Sequence, residues 1–95
     1  MIARITPYKL KPSSIDVADK MVAQMKEDIL ALPGLVQFIN VHNADGSGYV
    51  VSIIESLEAV EQNRGIVDAI WSRFDAHFEG LPVSQSMDVQ SNWTV

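Results

Sequence analysis

Apolar residues recur with different periods along this chain, and each period predicts a different element of secondary structure. In residues 13–32 they fall every three or four positions with charged residues opposite, which predicts an amphipathic helix. Residues 56–78 show the same spacing and predict a second helix, although Gly65 inside it would favour a split or a kink. Apolar and polar residues alternate across residues 83–93, which predicts a strand with one exposed face.

Residues 33–59 combine several local patterns and predict a β-hairpin between the two helices. The Pro-Gly pair at its start would end the first helix, because proline cannot continue a helix and glycine accepts the left-handed conformation common at helix ends. Residues 35–42 and 49–55 are rich in β-branched and aromatic residues, and turn-forming residues separate them. Ser56 is then predicted to cap the second helix.

The start of the chain predicts one more strand, in residues 2–9, with Ile2, Ile5 and Tyr8 among its larger apolar residues. Pro7 lacks a backbone N–H, so we expect the paired part of this strand to end near Thr6. Further on, Ser13 and Ser14 are candidate N-caps of the first helix, and Ser13 with Asp16 resembles a capping box.

The resulting order, βαββαβ, is that of the ferredoxin-like α+β fold, in a single domain of residues 1–95. Right-handed crossovers would place the first strand between the third and fourth, in an antiparallel sheet with both helices on one face. The hairpin strands are apolar at nearly every position, so the other face must also be covered. We predict that a second copy covers it, which would give a homodimer through the open sheet face, a dimeric α+β barrel.

The amino-acid composition disfavours several classes of partner and site. The chain has 7 basic and 12 acidic residues, a net charge of −5, and no cluster of lysine or arginine, which disfavours nucleic acid and anionic membranes as partners. It has no cysteine, which excludes a thiolate metal site and a cysteine nucleophile. Its two histidines lie on different elements without clustered carboxylates, so we expect no metal site. A cytoplasmic location is expected, since neither a secretion signal nor a membrane span is evident.

Three short motifs carry a resemblance to a known family. Pro33-Gly34-Leu35 precedes the second strand, Asp45-Gly46 lies at the hairpin turn, and Glu55-Ser56-Leu57-Glu58-Ala59 opens the second helix. Together with the element order they resemble the antibiotic biosynthesis monooxygenase-like family of dimeric α+β barrels. The resemblance implies oxidation of phenolic, polyketide-type substrates by O₂, with no metal, flavin or other cofactor.

Other members of that family degrade haem, using an asparagine on the first strand with a tryptophan and a histidine on the second helix. Trp71 and His77 lie on the predicted second helix, but their six-residue separation places them about 120° apart around the helix axis. Residues 2–9 contain no asparagine. Haem degradation is therefore disfavoured, and further family members have no established catalytic activity.

Candidate site residues are the polar and aromatic side chains expected between the sheet and the helices. Asn40 and His77 are the candidate catalytic residues, because an imidazole in a pocket can act as a general base or orient a phenol. The candidate substrate-binding residues are Phe38, His42, Trp71 and Phe74. In the predicted second strand, Asn40 and His42 share a face with Val36 and Phe38.

Each candidate also has a structural interpretation. His77 would be a hydrogen-bonded residue at the edge of the core, Trp71 would belong to the core, and His42 would be solvated beside the turn. Arg4, on the predicted central strand, needs a carboxylate partner or an anionic ligand, and a structural ion pair is favoured.

Two functions remain open from the sequence. The first is a homodimeric enzyme that oxidises a small aromatic or polyketide-like compound without a cofactor. The second is a dimeric small-molecule-binding or assembly module of the same fold without catalysis. An open cavity reached by Asn40 or His77 would favour the enzyme, and a space filled by Trp71, Phe74 and Met25 would favour the module.

Overall fold

Four strands and three helices follow one another in the order βααββαβ in the computed structural model, which describes residues 1–95. The strands are β1 (Ile2–Lys9), β2 (Leu35–His42), β3 (Ser47–Ile54) and β4 (Gln85–Asp88). The helices are α1 (Ile15–Gln24), α2 (Lys26–Leu30) and α3 (Leu57–Ser72). Single 3₁₀ turns, Pro12–Ser14 and Asp75–His77, precede α1 and follow α3. None of the helices is both long enough and apolar enough to cross a membrane.

The four strands form one antiparallel sheet in the order β2-β3-β1-β4. The first strand therefore lies between the third and the fourth, as a right-handed crossover requires. This arrangement confirms the predicted ferredoxin-like α+β fold.

Pro7 does not end the first strand, and the prediction that pairing stops near Thr6 is wrong. β1 pairs with β3 along its whole length. The Lys9 carbonyl accepts a hydrogen bond from the Glu79 N–H, so the odd-numbered backbone groups of β1 point away from β3. On that side β4 pairs with β1 only as far as Ile5, so no strand requires the donor that Pro7 lacks.

The helix predicted over residues 13–32 is split into α1 and α2. Met25 separates them, with φ −92° and ψ 3°, and its buried side chain belongs to the core. The predicted capping box does not form. The Ser14 hydroxyl at the start of α1 bonds the Nδ1 atom of His77 at 2.9 Å, so a tertiary contact takes its place.

The second helix begins where the sequence predicts. The Ser56 hydroxyl accepts a hydrogen bond from the Ala59 N–H at 3.1 Å, which confirms the N-cap. Gly65 does not split α3, which is continuous to Ser72. A methyl group added at Gly65 would meet no atom within 4 Å.

Two strands depart from their predicted form. β4 covers four residues instead of 83–93, because only this segment pairs with β1. In β2 the register shifts between Leu35 and Gln37, which marks a bulge. As a result Leu35 packs against the core while Val36 is exposed, and the predicted inward position of Val36 is wrong.

The helices cover one face of the sheet, called the inner face below. Two clusters of buried apolar residues lie between this face and the helices. The larger consists of Leu10, Ala18, Met25, Ile29, Phe74 and Phe78, and the smaller of Ile2, Ile54, Ala59 and Val60. Both helical regions therefore lie on the same side of the sheet, as predicted.

No helix covers the other face, called the outer face below. Most of the side chains that alternate with those of the inner face are apolar: Ala3, Ile5, Pro7, Ile39, Val41, Tyr49, Val51, Ile53 and Met87. Polar residues, Lys9, Gln37, Ser47 and Gln85, lie towards the margins of the same face. Val41 and Tyr49 are 51% and 52% exposed. The single chain thus presents a broad apolar surface to water.

Candidate functional site

A cavity of about 110 Å³ lies between the inner face and the helices and is partly open to solvent. Its lining is mostly apolar, with a small number of polar side chains, as is usual for small-molecule sites. A dry cavity of roughly 150 Å³ can hold benzene. The enclosed part of this cavity is somewhat smaller, so it accommodates about one aromatic ring, and its open side allows a larger ligand to extend towards solvent.

A tyrosine on β1 and an asparagine on β2 meet in this cavity across β3, which lies between their strands. The Tyr8 hydroxyl donates to Asn40 Oδ1 at 2.7 Å and approaches the Val41 carbonyl at 3.3 Å. Burial, and then the negative charge of Asp19, raise the pKa of Tyr8. Tyr8 thus stays protonated at neutral pH and can donate a hydrogen bond. This bond uses the Oδ1 atom of Asn40, so the two N–H donors of Nδ2 remain for a ligand.

The end of β2 is tied to α1 beside the cavity. His42 Nε2 lies 2.8 Å from Asp19 Oδ1, and Asp19 lines the cavity. His42 Nδ1 lies 3.0 Å from the Asn43 carbonyl oxygen. The hydrogen bond to Asn43, and then that to Asp19, raise the pKa of His42.

Arg4 lies on β1 with its side chain in the cavity lining. The prediction of a structural ion pair is wrong, because the three ion pairs of the chain join other residues. Its guanidinium Nη1 donates to the Ser86 hydroxyl at 3.0 Å. One uncharged partner leaves a cation with most of its hydrogen-bonding capacity unused.

A second cavity adjoins the first on the side of β4. Arg4, Thr6, Asp68 and Trp71 line both cavities. The Thr6 and Ser84 hydroxyls lie 2.6 Å apart at this boundary. Polar groups therefore concentrate where the two cavities meet.

The structure brings four of the six candidate residues together. Phe38, Asn40, Trp71 and Phe74 line the cavity. Trp71, Phe74 and Met25 border the space without filling it. Asn40 therefore reaches a space that is partly open to solvent.

The two histidines lie outside the cavity lining. His42 contacts the site only through Asp19. His77 lies on the 3₁₀ turn after α3, where its ring bonds Ser14 and its carbonyl accepts from the Lys11 N–H. His77 therefore lies beyond the end of α3 and not on the predicted second helix, and the structural interpretation of a bonded histidine describes its contacts.

Sequence reasoning missed Tyr8 and Asp19. Tyr8 counted among the apolar residues of the first strand, although two-residue alternation places it on one face with Arg4 and Thr6. Asp19 belonged to the charged face of the helix, and nothing local indicates that His42 reaches it.

No group of three or more histidine and carboxylate side chains is arranged to hold a metal ion.

No protein-family model matches the sequence, and no curated protein matches it either. Solved structures match the fold closely. One described as an antibiotic biosynthesis monooxygenase has a TM-score of 0.80 and 15% identity, covering 96% of this chain and all of its own. A monooxygenase from the gene ActVA-Orf6 of Streptomyces coelicolor, in complex with the ligand nanaomycin D, has a TM-score of 0.78 and 16% identity, covering 99% of this chain and 91% of its own.

A protein of unknown function from Nitrosomonas europaea, NE2512, has a TM-score of 0.83 and 10% identity, covering 99% of this chain and 93% of its own. Identities this low establish the fold alone. The resemblance to the antibiotic biosynthesis monooxygenases is therefore confirmed at the level of the fold.

Proposed function

We propose that this chain, with the fold of the antibiotic biosynthesis monooxygenases, is a cofactor-independent monooxygenase for a small aromatic or polyketide-like compound. The observation that carries the proposal is the partly open apolar cavity into which the Tyr8–Asn40 pair projects. The neighbour with bound nanaomycin D, which is described as a monooxygenase, supports the same class of chemistry.

Such a reaction needs an electron-rich ring and O₂. A phenol that loses its proton can transfer an electron to O₂, and the two then combine to form a C–O bond between a ring carbon and O₂, which gives a hydroperoxide after protonation. The O–O bond breaks as the distal oxygen leaves in water, and the oxygen that stays on the ring becomes a carbonyl. The product is a quinone, so that phenol and O₂ give quinone and water. The protein has to stabilise the phenolate and keep bulk water from the intermediate.

Each residue of the site has a part in this scheme. Asn40 Nδ2 donates to the phenolate oxygen, and Tyr8 holds the amide in the orientation that allows this. Phe38, Trp71 and Phe74 form apolar walls against the ring. The roles first predicted for His77 and His42 stay untested predictions outside this scheme, because neither ring lines the cavity. Substitution of His77, described below, tests the first of them.

The proposal includes a homodimer through the outer face. The apolar outer face is the surface that a second copy would bury, and a cover there would also hold β1 and β3 rigid beneath the cavity. A cytoplasmic location, expected from the sequence, completes the proposal.

O₂ consumption with a panel of hydroquinones and anthrones tests the activity. Asn40→Ala is expected to lower kcat/KM by about 100-fold, the usual loss when one donor to a developing anion is removed. His77→Ala, which alters a residue outside the cavity, is expected to retain most of the activity. Rates equal to buffer for the wild type across the panel would exclude the monooxygenase.

A non-catalytic small-molecule-binding or assembly module is the second candidate. One observation favours it: no imidazole reaches the cavity, so a histidine base is not available there. Ligand binding without turnover would identify this function.

A further inference from the structure

Charged residues of the cavity lining differ in whether they are neutralised. Asp19 is bonded to His42, and Arg64 is paired with Glu61 at 2.7 Å. Arg4 and Asp68 belong to no ion pair. Asp68 is exposed to water on α3, whereas Arg4 is half-buried on the central strand of the sheet, where a cation is more costly to leave without an anion.

Glu61 lies near enough for the charge of Arg4 to contribute to its lowered pKa, but its carboxylate is bonded to Arg64 and not to Arg4. The hydrogen bonds of Arg4 therefore do not account for its charge. A guanidinium has five N–H donors, and Arg4 uses one of its nitrogens to reach the neutral hydroxyl of Ser86. No buried side-chain nitrogen or oxygen lacks a partner, so the remaining donors of Arg4 reach solvent-accessible space. Arg4 lines both cavities, so the junction between them is the space nearest to these donors.

We propose that Arg4 binds an anionic oxygen of the ligand, so that the site selects a single-ring aromatic compound that carries a carboxylate or a phenolate. A planar guanidinium suits such an oxygen because it can donate two parallel hydrogen bonds. The inference rests on the proposed function to the extent that both place the ligand in the same cavity.

The sheet register gives the ligand a consistent place. Arg4 and Phe38 both lie opposite Ser52, in one row across the inner face. Asn40 lies one row further along, two strands from β1, which places its Cα atom about 12 Å from that of Arg4. The side chains of Arg4 and Asn40 both extend from the inner face, and the span between them leaves room for one ring over Phe38. In this position the anionic oxygen of the ligand would bind Arg4, and a second oxygen would lie near Asn40.

Calorimetric binding of matched probes to the full chain tests the charge preference. The carboxylate probe is 4-hydroxybenzoate, with the neutral 4-hydroxybenzamide as its isostere. The phenolate probe is 4-nitrophenol above its pKa, with the non-ionising 4-nitroanisole for comparison. Wild-type protein is expected to bind at least one anion about 10- to 100-fold more tightly than its neutral counterpart.

Substitutions of two arginines test whether Arg4 is the source of the preference for anionic over neutral probes. Arg4→Gln is expected to reduce the ratio of affinities to about one, and Arg4→Lys to restore part of it because a single charge remains. Arg73→Gln removes the same charge from an exposed position outside both cavities and should leave the ratio unchanged. Circular dichroism confirms that each variant is folded.

The binding and O₂-consumption results together decide whether Arg4 binds an anionic oxygen of the ligand. Equal binding of anionic and neutral probes, or no binding of any anion, overturns the inference, as does an unchanged ratio in folded Arg4→Gln. Anion-selective binding without O₂ consumption supports Arg4 and excludes the monooxygenase. O₂ consumption that does not distinguish anionic from neutral substrates supports the monooxygenase and excludes the role of Arg4.

Discussion

His42 has a hydrogen-bond acceptor beside each of its ring nitrogens, the Asn43 carbonyl and the Asp19 carboxylate. Both nitrogens can donate only when the ring is protonated, which is the physical reason for its raised pKa. A group whose pKa is raised by folding stabilises the folded state while it is protonated. Its contribution is therefore full below the ordinary value of 6.5 and is lost as the pH rises through the raised value.

An NMR titration of the two histidines tests this contact. The His42 pKa is expected above 6.5 in the wild type and closer to 6.5 in Asp19→Asn, which keeps the shape of the side chain but removes its charge. Asp16→Asn, on the same helix without a histidine contact, is the matched control. An unchanged His42 pKa in Asp19→Asn would contradict the contact.

Tyr8 and Asn40 form the polar pair of the cavity, and their contributions can be separated. Tyr8→Phe keeps the ring but frees Asn40 Oδ1, so the amide can rotate. We expect kcat/KM in the O₂ assay to fall by about 10-fold, less than in Asn40→Ala, because the donor to the substrate is still present. A larger loss in Tyr8→Phe than in Asn40→Ala would show that Tyr8 itself contacts the reacting atoms.

Two glycines in or beside the helices differ in whether the structure requires glycine at that position. Gly34 ends the first helical region with φ 78°, and a methyl group there would lie 2.8 Å from the Ala59 side chain at the start of α3. Only glycine accepts both this conformation and this close approach. Gly65 lies inside α3 with open space around it, and its flexibility disfavours the helix.

The same substitution should therefore have opposite effects at these two positions. Gly65→Ala is expected to raise the free energy of unfolding by about 1 kcal/mol, which corresponds to a Tm increase of about 4–8 °C. Gly34→Ala is expected to lower it by about 1–3 kcal/mol. Thermal and urea denaturation measure both, and a lower Tm for Gly65→Ala would contradict the open space around that residue.

The whole molecule has two unlike surfaces, one formed by the helices and one by the outer face of the sheet. The outer face is apolar across β1, β2 and β3, and the chain alone leaves it in water. Exposed apolar patches of this extent mark interaction surfaces. Burial against a second copy is the simplest way to remove it from water.

Sedimentation equilibrium at micromolar concentration tests the homodimer. Val41→Lys, on the outer face, is expected to shift the protein to monomer, because burial of a lysine against a partner is costly. Val17→Lys is the matched control, since Val17 lies on α1 with a similar exposure, 46% against 51%. A wild-type chain that sediments as a monomer, or equal effects of both substitutions, would contradict dimerisation through the outer face.

Periodicity and local sequence chemistry were enough to predict the fold and the order of its elements. Periods of two and of three to four residues record which side of an element is buried, and local chemistry such as the Ser56 cap and the Pro33-Gly34 helix end depends only on neighbours. The same patterns placed Phe38, Asn40, Trp71 and Phe74 between sheet and helices. These predictions were correct because they needed no knowledge of distant contacts.

Tertiary structure alone decided the polar contacts of the site. Ser14 bonds His77 instead of capping α1, Tyr8 bonds Asn40, and Arg4 has no carboxylate partner. Residues far apart in the chain compete for these hydrogen bonds, and the outcome depends on angstrom-scale distances that periodicity does not encode. The cavity also depends on tertiary packing. It exists because the helices do not pack fully against the inner face of the sheet, and no local sequence pattern encodes that spacing.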